Sequence, residues 1–196
     1  MAKAKNPKAA KRAKIYLVLT ILFLLSTLIW AGARIVAAVQ FELGCASFMK
    51  RAAGANTVEL AKEELGKAIN FARENNLTEG TVSIFLRNPS NDMGFWYRNM
   101  NAAHEELVTM PEDASQLERT NVLMKLRESL TDNTDGSSSV IVPSGISIYP
   151  HNVAYFWWSV ISFAGLTTFF FMWAVAYEKA TGKKILNTNT VVIQSK

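Results

Sequence analysis

The chain of 196 residues has very little of the residue types that build metal and redox sites. It contains one cysteine, Cys45, so a disulfide within the chain and a zinc site made from its own cysteines are both excluded. Its two histidines, His104 and His151, are not spaced as metal ligands on one helix, and no HExxH pattern occurs. We therefore expect neither a metal nor a cofactor.

Catalytic patterns are also lacking. The sequence contains no glycine-rich phosphate loop and no nucleophile elbow, and the serine run at 137–139 has the composition of a loop. The acidic residues of the middle region, Glu64 among them, are expected to lie on solvated helix faces and in first helical turns. These observations predict a protein that is not an enzyme.

Charge is missing from one long stretch, residues 153–177, which has no ionisable acid or base. About 20 apolar residues suffice for a helix to cross a bilayer, so this run predicts a transmembrane helix. The alternative, a buried helix of a soluble protein, is normally shorter and keeps a polar edge. Trp157 and Trp158 near one end and Trp173 near the other fit the aromatic belts of the two membrane interfaces.

A second apolar run lies at residues 15–33 and continues past Arg34 to Phe41. A signal peptide has an apolar core of only about 7–15 residues, so we interpret 15–41 as a first transmembrane helix. Arg34 is expected to extend its side chain to the outer interface, the alternative being a buried pair or a contact with a lipid phosphate. Ser162 and Gly165 in the second run are small residues that would let helices approach closely.

The basic residues flank these two runs. Ten Lys and Arg residues against one acid lie in the tails, whereas residues 43–152 carry ten basic and fourteen acidic side chains. By the positive-inside rule both termini lie in the cytoplasm and 43–152 lie outside, most simply at a bacterial inner membrane. The net basic charge therefore belongs to the tails and predicts no nucleic-acid partner. The predicted segments are a basic tail, a first span, an extracytoplasmic domain, a second span and a cytoplasmic tail, at 1–14, 15–41, 42–152, 153–177 and 178–196.

Helical periodicity dominates the middle region, which predicts a mainly all-α fold with at most a minor β element. A first helix is expected to begin after Asn56 as its N-cap and to end near 75–76. A second runs from about Gly94 to Thr109, and a third starts at a capping box of Ser115 and Glu118. Residues 81–86 permit a short strand or a helical turn, 133–139 a flexible loop, and 140–142 and 146–149 extended chain. Cys45 is expected to pack near the bilayer surface, and to serve as a thiol probe of the outside if it is not packed away.

Three consecutive aromatic residues, Phe95, Trp96 and Tyr97, cannot all face one core from a helix. The simpler interpretation has Phe95 and Trp96 in the core and Tyr97 half exposed, and the alternative is a binding surface that includes Trp96 and Tyr97.

We therefore expect a non-enzymatic accessory or scaffold subunit of a larger membrane complex. Its partners would be membrane lipid and other membrane-protein subunits or a second copy of itself. The alternative hypothesis is a two-span sensor that binds a ligand in the outer domain and signals through a partner. The residues expected to make partner or lipid contacts are Arg34, Trp96, Tyr97, Trp157, Trp158, Ser162, Gly165 and Trp173.

Overall fold

The computed structural model describes residues 6–134, 137–183 and 185, so residues 1–5 of the predicted N-terminal tail and most of the predicted C-terminal tail lie outside the described part. The described chain is mostly helical, as the sequence predicts. Two compact units are present: a helix pair, formed by the chain up to Gly32 and from Phe156 onward, and a helical domain, Ala33–Tyr155. The helices and strands, numbered in chain order, are α1 Pro7–Phe41, α2 Ser47–Ala53, α3 Val58–Glu74, α4 Met93–Val108, α5 Gln116–Leu130, β1 Thr131–Thr134, β2 Ser137–Val140 and α6 Asn152–Thr181.

The first apolar run continues as helix well beyond the predicted span. A five-residue π-helical turn, Glu42–Ala46, joins α1 to α2, so that helical backbone extends over Pro7–Ala53. This run and α6 are both long and apolar enough to cross a membrane. In their most apolar windows only 0% and 17% of the residues are buried, which is unlike the core helix of a soluble protein.

The helical domain is built on α3, which packs against α2 and α4. Its inward face is apolar, and Ala61, Leu65 and Ala72 on that face are each 0% exposed. The predicted N-cap Asn56 is wrong by one residue: the Thr57 side chain accepts the hydrogen bond from the Leu60 N–H instead. Both residues can cap a helix, so the capping rule alone could not choose between them.

The later helices match the sequence more closely. Asp92 caps α4 by accepting a hydrogen bond from the Phe95 N–H. Ser115 and Glu118 form the predicted capping box at the start of α5, with each side chain bonded to the other's backbone N–H.

The β predictions are right only in part. Residues 81–86, expected to form a short strand or a helical turn, form no strand, and Thr81 makes only an isolated bridge with Asp92. The described strands are β1 and β2, an antiparallel pair with Thr131 opposite Val140. Val140 belongs to the segment expected to be extended, but the rest of β2 and half of β1 lie in the segment 133–139 expected to be a flexible loop. Ile146–Ile148 is a 3₁₀ turn and not extended chain. Residues 135 and 136 lie outside the described part.

Glu64 departs most clearly from its sequence-based interpretation as a solvated acid. It is 1% exposed on α3, and its Oε1 accepts hydrogen bonds from the Arg51 guanidinium at 2.9 Å and from the Lys67 ammonium at 3.0 Å. Its Oε2 is buried without a hydrogen-bond partner among the described residues. The two basic side chains are 62% and 41% exposed, so this cluster of three charges has one buried and two solvated members.

Cys45 is packed away from solvent. It lies in the π-helical turn, is 0% exposed, and its thiol points to the Ala68 carbonyl of α3 at 3.8 Å. Burial raises the pKa of the Cys45 thiol to about 12. The expectation that it could report on the outside of the membrane therefore fails, because neither access nor thiolate formation is available to a labelling reagent.

Candidate functional site

The aromatic run at the start of α4 divides between core and surface. Trp96 is 6% exposed and lies in the core, whereas Phe95 is 62% exposed. The interpretation that placed both in the core is thus wrong for Phe95. Asp92 fixes the first turn of α4, and one residue along a helix is a rotation of about 100°, so the two rings must point in different directions.

Phe95 and Trp96 lie at a cleft of about 450 Å³ in the helical domain. The Trp96 indole N–H donates to the Ile141 carbonyl at 3.2 Å, which fixes the ring and ties α4 to the chain after β2. Ile141 itself is 47% exposed. The lining is mainly apolar, and its members are Met49, Pro89, Ser90, Asp92, Phe95, Trp96, Asn99, Met100, Ser129, Leu130, Ile141, Val142 and Pro143.

The polar groups at this cleft are few. Asp92 already accepts the capping hydrogen bond from the Phe95 N–H at 2.9 Å, and Ser129 donates to the Leu126 carbonyl at 2.8 Å. The α4 residues His104, Glu105 and Arg98 are not part of the lining. The described residues include no group of three His, Cys, Asp or Glu side chains that could hold a metal ion. The mainly apolar lining is suited to binding apolar groups.

Tyr97 faces away from the cleft, toward α3. It packs against the core at partial burial, and a hydrogen bond from Arg73 lowers the pKa of its hydroxyl, with burial opposing that shift. Of the two predicted contact residues on α4, the cleft therefore contains Trp96 only.

In the helix pair, a small polar cluster joins α1 to α6. The Ser162 hydroxyl, 1% exposed, lies 2.8 Å from that of Ser26, and the Trp158 indole N–H donates to the Ser26 hydroxyl at 3.0 Å. Gly165 lies against the Phe23 ring, where a Cβ atom would overlap it. Ser162 and Gly165, which the sequence marks for close helix approach, thus approach a helix of the same chain.

The other predicted contact residues lie toward the surface of their own units. Trp157 is 53% exposed and meets Phe156 edge-on at 5.4 Å. Trp173 is half-buried between Phe170 and Tyr177, with ring centroids 5.7 and 5.8 Å away. Arg34 is exposed, at the beginning of the helical domain.

Sequence reasoning missed Ile141 as part of the cleft, and Phe85 and Leu86 as exposed side chains. Ile141 was assigned to extended chain, and Phe85 and Leu86 to either a short strand or a helical turn, both of which leave one face against the core. Instead they lie in irregular chain, and Phe85 and Leu86 are 72% and 84% exposed. The nearby turn residues, Asn88 and Pro89, were the available signal that the strand does not form.

No family model matches this chain, and neither the curated proteins nor the solved structures include a significant match.

Proposed function

We propose that this chain is a non-enzymatic, membrane-anchored docking subunit of a larger membrane complex. Residues 15–41 and 153–177 span the membrane, residues 42–152 form a domain on the outside, and both tails are cytoplasmic, as in a bacterial inner-membrane protein. The single observation that carries the docking role is the cleft of the helical domain, where exposed Phe95 and Ile141 border the fixed ring of Trp96.

The membrane part of the proposal is supported by the exposed surface of the helix pair. Large apolar side chains such as Leu28, Ile29 and Ile161 are 59%, 62% and 61% exposed. In water such a surface would drive aggregation, whereas in lipid it needs no partner. The orientation is supported by ten basic residues against one acid in the tails.

The docking part is supported by the chemistry of the cleft. Aromatic and aliphatic anchors at a pocket supply most of the binding free energy of protein interfaces. Burying the exposed face of a Phe contributes about 1.5–3 kcal/mol, and Phe95 is held on a capped helix, so little ordering cost opposes it. The partner that fits is an apolar segment of another membrane subunit, presented on the same side of the bilayer.

The non-enzymatic part is supported by the dispersal of the titratable groups. The His104 imidazole lies against Gly66 of α3. Arg98 lies beside Gly94, at the other end of α4. Acid, base and cation therefore do not converge on the cleft, whereas catalytic groups must act on one point.

Photocrosslinking tests this role. A benzophenone amino acid replaces Phe95 in the full chain, and the matched control carries it at Leu117, an exposed apolar residue of α5 outside the cleft lining. We expect a single stoichiometric adduct from position 95 and none from 117. Phe95→Ala should weaken co-purification of that partner about tenfold or more while leaving the fold intact, because the ring is mainly in solvent.

Two results would defeat the proposal. One is a monomer in mild detergent with no stoichiometric partner and no self-association. The other is a partner that crosslinks equally from Phe95 and Leu117, or whose recovery Phe95→Ala does not change.

The cleft volume also favours a second candidate, a ligand sensor that signals through another protein. Small-molecule sites occupy about 300–1,000 Å³ and are mostly apolar with a few polar groups, which the cleft of about 450 Å³ matches. Solvent extraction of the purified chain followed by mass spectrometry separates the two. A stoichiometric small molecule that Trp96→Ala abolishes favours the sensor, and an empty cleft with a crosslinked subunit favours docking.

A further inference from the structure

The two helices of the helix pair run antiparallel. The Ser26 hydroxyl of α1 lies 2.8 Å from the Ser162 hydroxyl of α6. Earlier on α1, the Phe23 ring stacks on Phe169, which comes later on α6, with ring centroids 5.4 Å apart. Contact partners on α6 therefore rise in number as those on α1 fall. This order brings the first turns of α1 and the last turns of α6 to the same end of the pair.

Both helices keep one buried face up to this end. Ala9 and Ala13, in the first turns of α1, are 9% and 7% exposed, and Ala176 and Ala180 of α6 are 7% and 3% exposed. Residues four apart lie on one face of a helix, so each helix buries a face of alanines here. Asn6 caps α1, because its side chain accepts hydrogen bonds from two backbone N–H groups of the first turn, at 3.1 and 3.2 Å. The helical backbone thus sets where the remaining side chains of this end lie.

Six exposed basic side chains collect at this end of the helix pair, and we call them the basic end. They are Lys8, Lys11, Arg12, Lys14, Lys179 and Lys183. None of the six forms an ion pair with a described residue. Among residues 6–14 and 178–183 the one acid is Glu178, whose carboxylate accepts a hydrogen bond from the Ile185 N–H at 2.6 Å. The described part of the chain therefore leaves this positive charge unbalanced.

These charges do not stabilise the start of α1. The first turns of α3 and α5 contain Glu59 and Glu118, whereas the first turn of α1 contains no acid. A helix carries partial positive charge at its N-terminus, so acids there are favourable and cations unfavourable. Like charges four residues apart, such as Lys8 and Arg12, are also unfavourable. Anions from outside the chain would offset both costs.

The basic end adjoins the uncharged runs of both helices. On α1, Lys14 directly precedes the uncharged run 15–33, and on α6 the run 153–177 ends directly before the charged residues. Trp173 and Tyr177, with ring centroids 5.8 Å apart, lie at that end of the α6 run. When the runs are inserted in a bilayer, these rings occupy its interface and the cations lie in the layer of the lipid phosphates. This position favours lipid over an acidic protein segment as the source of the anions.

From these observations we infer that the basic end is a binding surface for the phosphate groups of anionic phospholipids. Lysine and arginine have long apolar stems, which let their charged groups reach phosphates at slightly different depths. Each cation near a membrane surface adds to the attraction for anionic lipid, so the surface selects anionic over zwitterionic headgroups. The inference rests on the proposed membrane insertion of the helix pair, and it adds a lipid preference to that insertion.

Electron paramagnetic resonance on the full chain tests this surface. The protein is reconstituted in phosphatidylcholine vesicles that contain a trace of spin-labelled phosphatidylglycerol or, separately, of spin-labelled phosphatidylcholine. The motionally restricted part of each spectrum measures lipid held at the protein surface, and the ratio of the two association constants measures the preference. The phosphatidylcholine spectrum by itself reports insertion, because a chain that does not enter the bilayer has no shell of restricted lipid.

We expect the wild-type chain to bind the spin-labelled phosphatidylglycerol several-fold more strongly than the phosphatidylcholine at low salt. The preference should fall at high salt, because interactions between exposed charges are screened. The combined variant Lys8→Gln, Lys11→Gln and Arg12→Gln should bring the ratio close to unity. The double variant Lys8→Arg and Lys11→Arg keeps the charge and should keep the preference.

The matched control removes three exposed cations of the helical domain, none of which forms an ion pair with a described residue. Its substitutions are Lys62→Gln, Arg87→Gln and Arg98→Gln. The control lowers the net charge of the chain by the same amount as the glutamine variant of the basic end. We expect it to retain the preference for phosphatidylglycerol.

The outcomes separate the lipid preference from the insertion on which it rests. Restricted lipid of both kinds without a preference in the wild-type chain would overturn the anionic-lipid surface, favour an acidic protein segment as the counter-charge, and leave the insertion standing. Absence of restricted lipid of either kind would overturn both. A preference that survives in the glutamine variant, falls equally in the control, or is lost in the arginine variant would overturn the assignment to the basic end.

Discussion

The helix pair and the helical domain place their large apolar side chains in opposite ways. In the helix pair Leu28 and Phe171 point outward at 59% and 57% exposure, while the small polar Ser162 is buried between the helices at 1%. In the helical domain Leu65 and Met49 are buried at 0%. One chain thus follows two packing rules on either side of Gly32 and Phe156.

The proposed membrane insertion of the helix pair accounts for the difference. In water, burial of apolar surface drives folding, so Leu and Met go inside. In lipid that driving force disappears between helices, and close approach of small residues with a few hydrogen bonds holds them together. The hydrogen bond between Ser26 and Ser162 at 2.8 Å and the close contact of the Phe23 ring with Gly165 are interactions of this kind.

The largest expected effect comes from replacing an exposed leucine by aspartate in the helix pair and comparing the result with the same replacement in the helical domain. Leu28→Asp puts a carboxylate near the middle of the first span and should cost about 2.5–3.5 kcal/mol of insertion free energy. Leu117→Asp, at 69% exposure on α5, should change the unfolding free energy by about 0.5 kcal/mol or less. Insertion is measured by glycosylation mapping or carbonate extraction, and stability by denaturant unfolding in detergent. Equal, small effects at both positions would mean that both surfaces face water.

Substitution of the buried Glu64 should have the next largest effect, on the stability of the helical domain. Glu64→Ala removes the acceptor of two charge-assisted hydrogen bonds at a site 1% exposed and should destabilise the domain by about 1–3 kcal/mol. Glu64→Met should cost less, because it fills the volume and leaves Arg51 and Lys67 in solvent.

The matched control is Glu63→Ala on the same helix, where the carboxylate is 64% exposed. Its effect should stay within about 0.5 kcal/mol. Urea unfolding of the full chain, followed by the near-UV signal of its tryptophans, measures all three. If Glu63→Ala were as costly as Glu64→Ala, burial would not be the source of the effect.

Serine substitution in the helix pair gives the smallest effect. Ser162→Ala removes the hydrogen bond to Ser26 and should weaken the helix pair by about 0.6 kcal/mol, the average for such bonds in membranes. Ser159→Ala is the control, since the Ser159 hydroxyl bonds the Phe156 carbonyl of its own helix. Unfolding in mixed micelles compares the two, and a larger loss for Ser159→Ala would contradict the assigned contact.

The sequence predicts best where one local rule is strong. The length and apolarity of the two runs predict long helices, and the Ser115–Glu118 spacing predicts a cap that the structure confirms. The apolar residues of α3 and α4 recur with the 3.6-residue period of a helix, which places Leu65 and Met100 on inward faces, and both are buried.

The sequence is a poor guide to features that depend on tertiary contacts. Glu64 resembles its exposed neighbour Glu63 in sequence, and its burial is accompanied by an ion pair with Arg51 of α2, a contact between helices that local sequence does not show. The β1–β2 pair is made of Thr, Asp, Asn and Ser, which lack the apolar alternation of a strand, although Asp135–Gly136 is a known hairpin signal. The outward direction of Phe95 depends on the docking of Trp96 to Ile141, which lies 45 residues further along the chain.

Cysteine accessibility in intact cells tests most directly the claim that the helical domain lies outside and both tails lie inside. Asn121→Cys and Ser195→Cys are expressed separately and treated with a membrane-impermeant maleimide, with the wild-type chain as a blank because Cys45 is 0% exposed. We predict labelling of position 121 in intact cells or spheroplasts, and of position 195 only after permeabilisation. Labelling of 195 with protection of 121 would show the inverted orientation, and protection or labelling of both alike would contradict the two-span account.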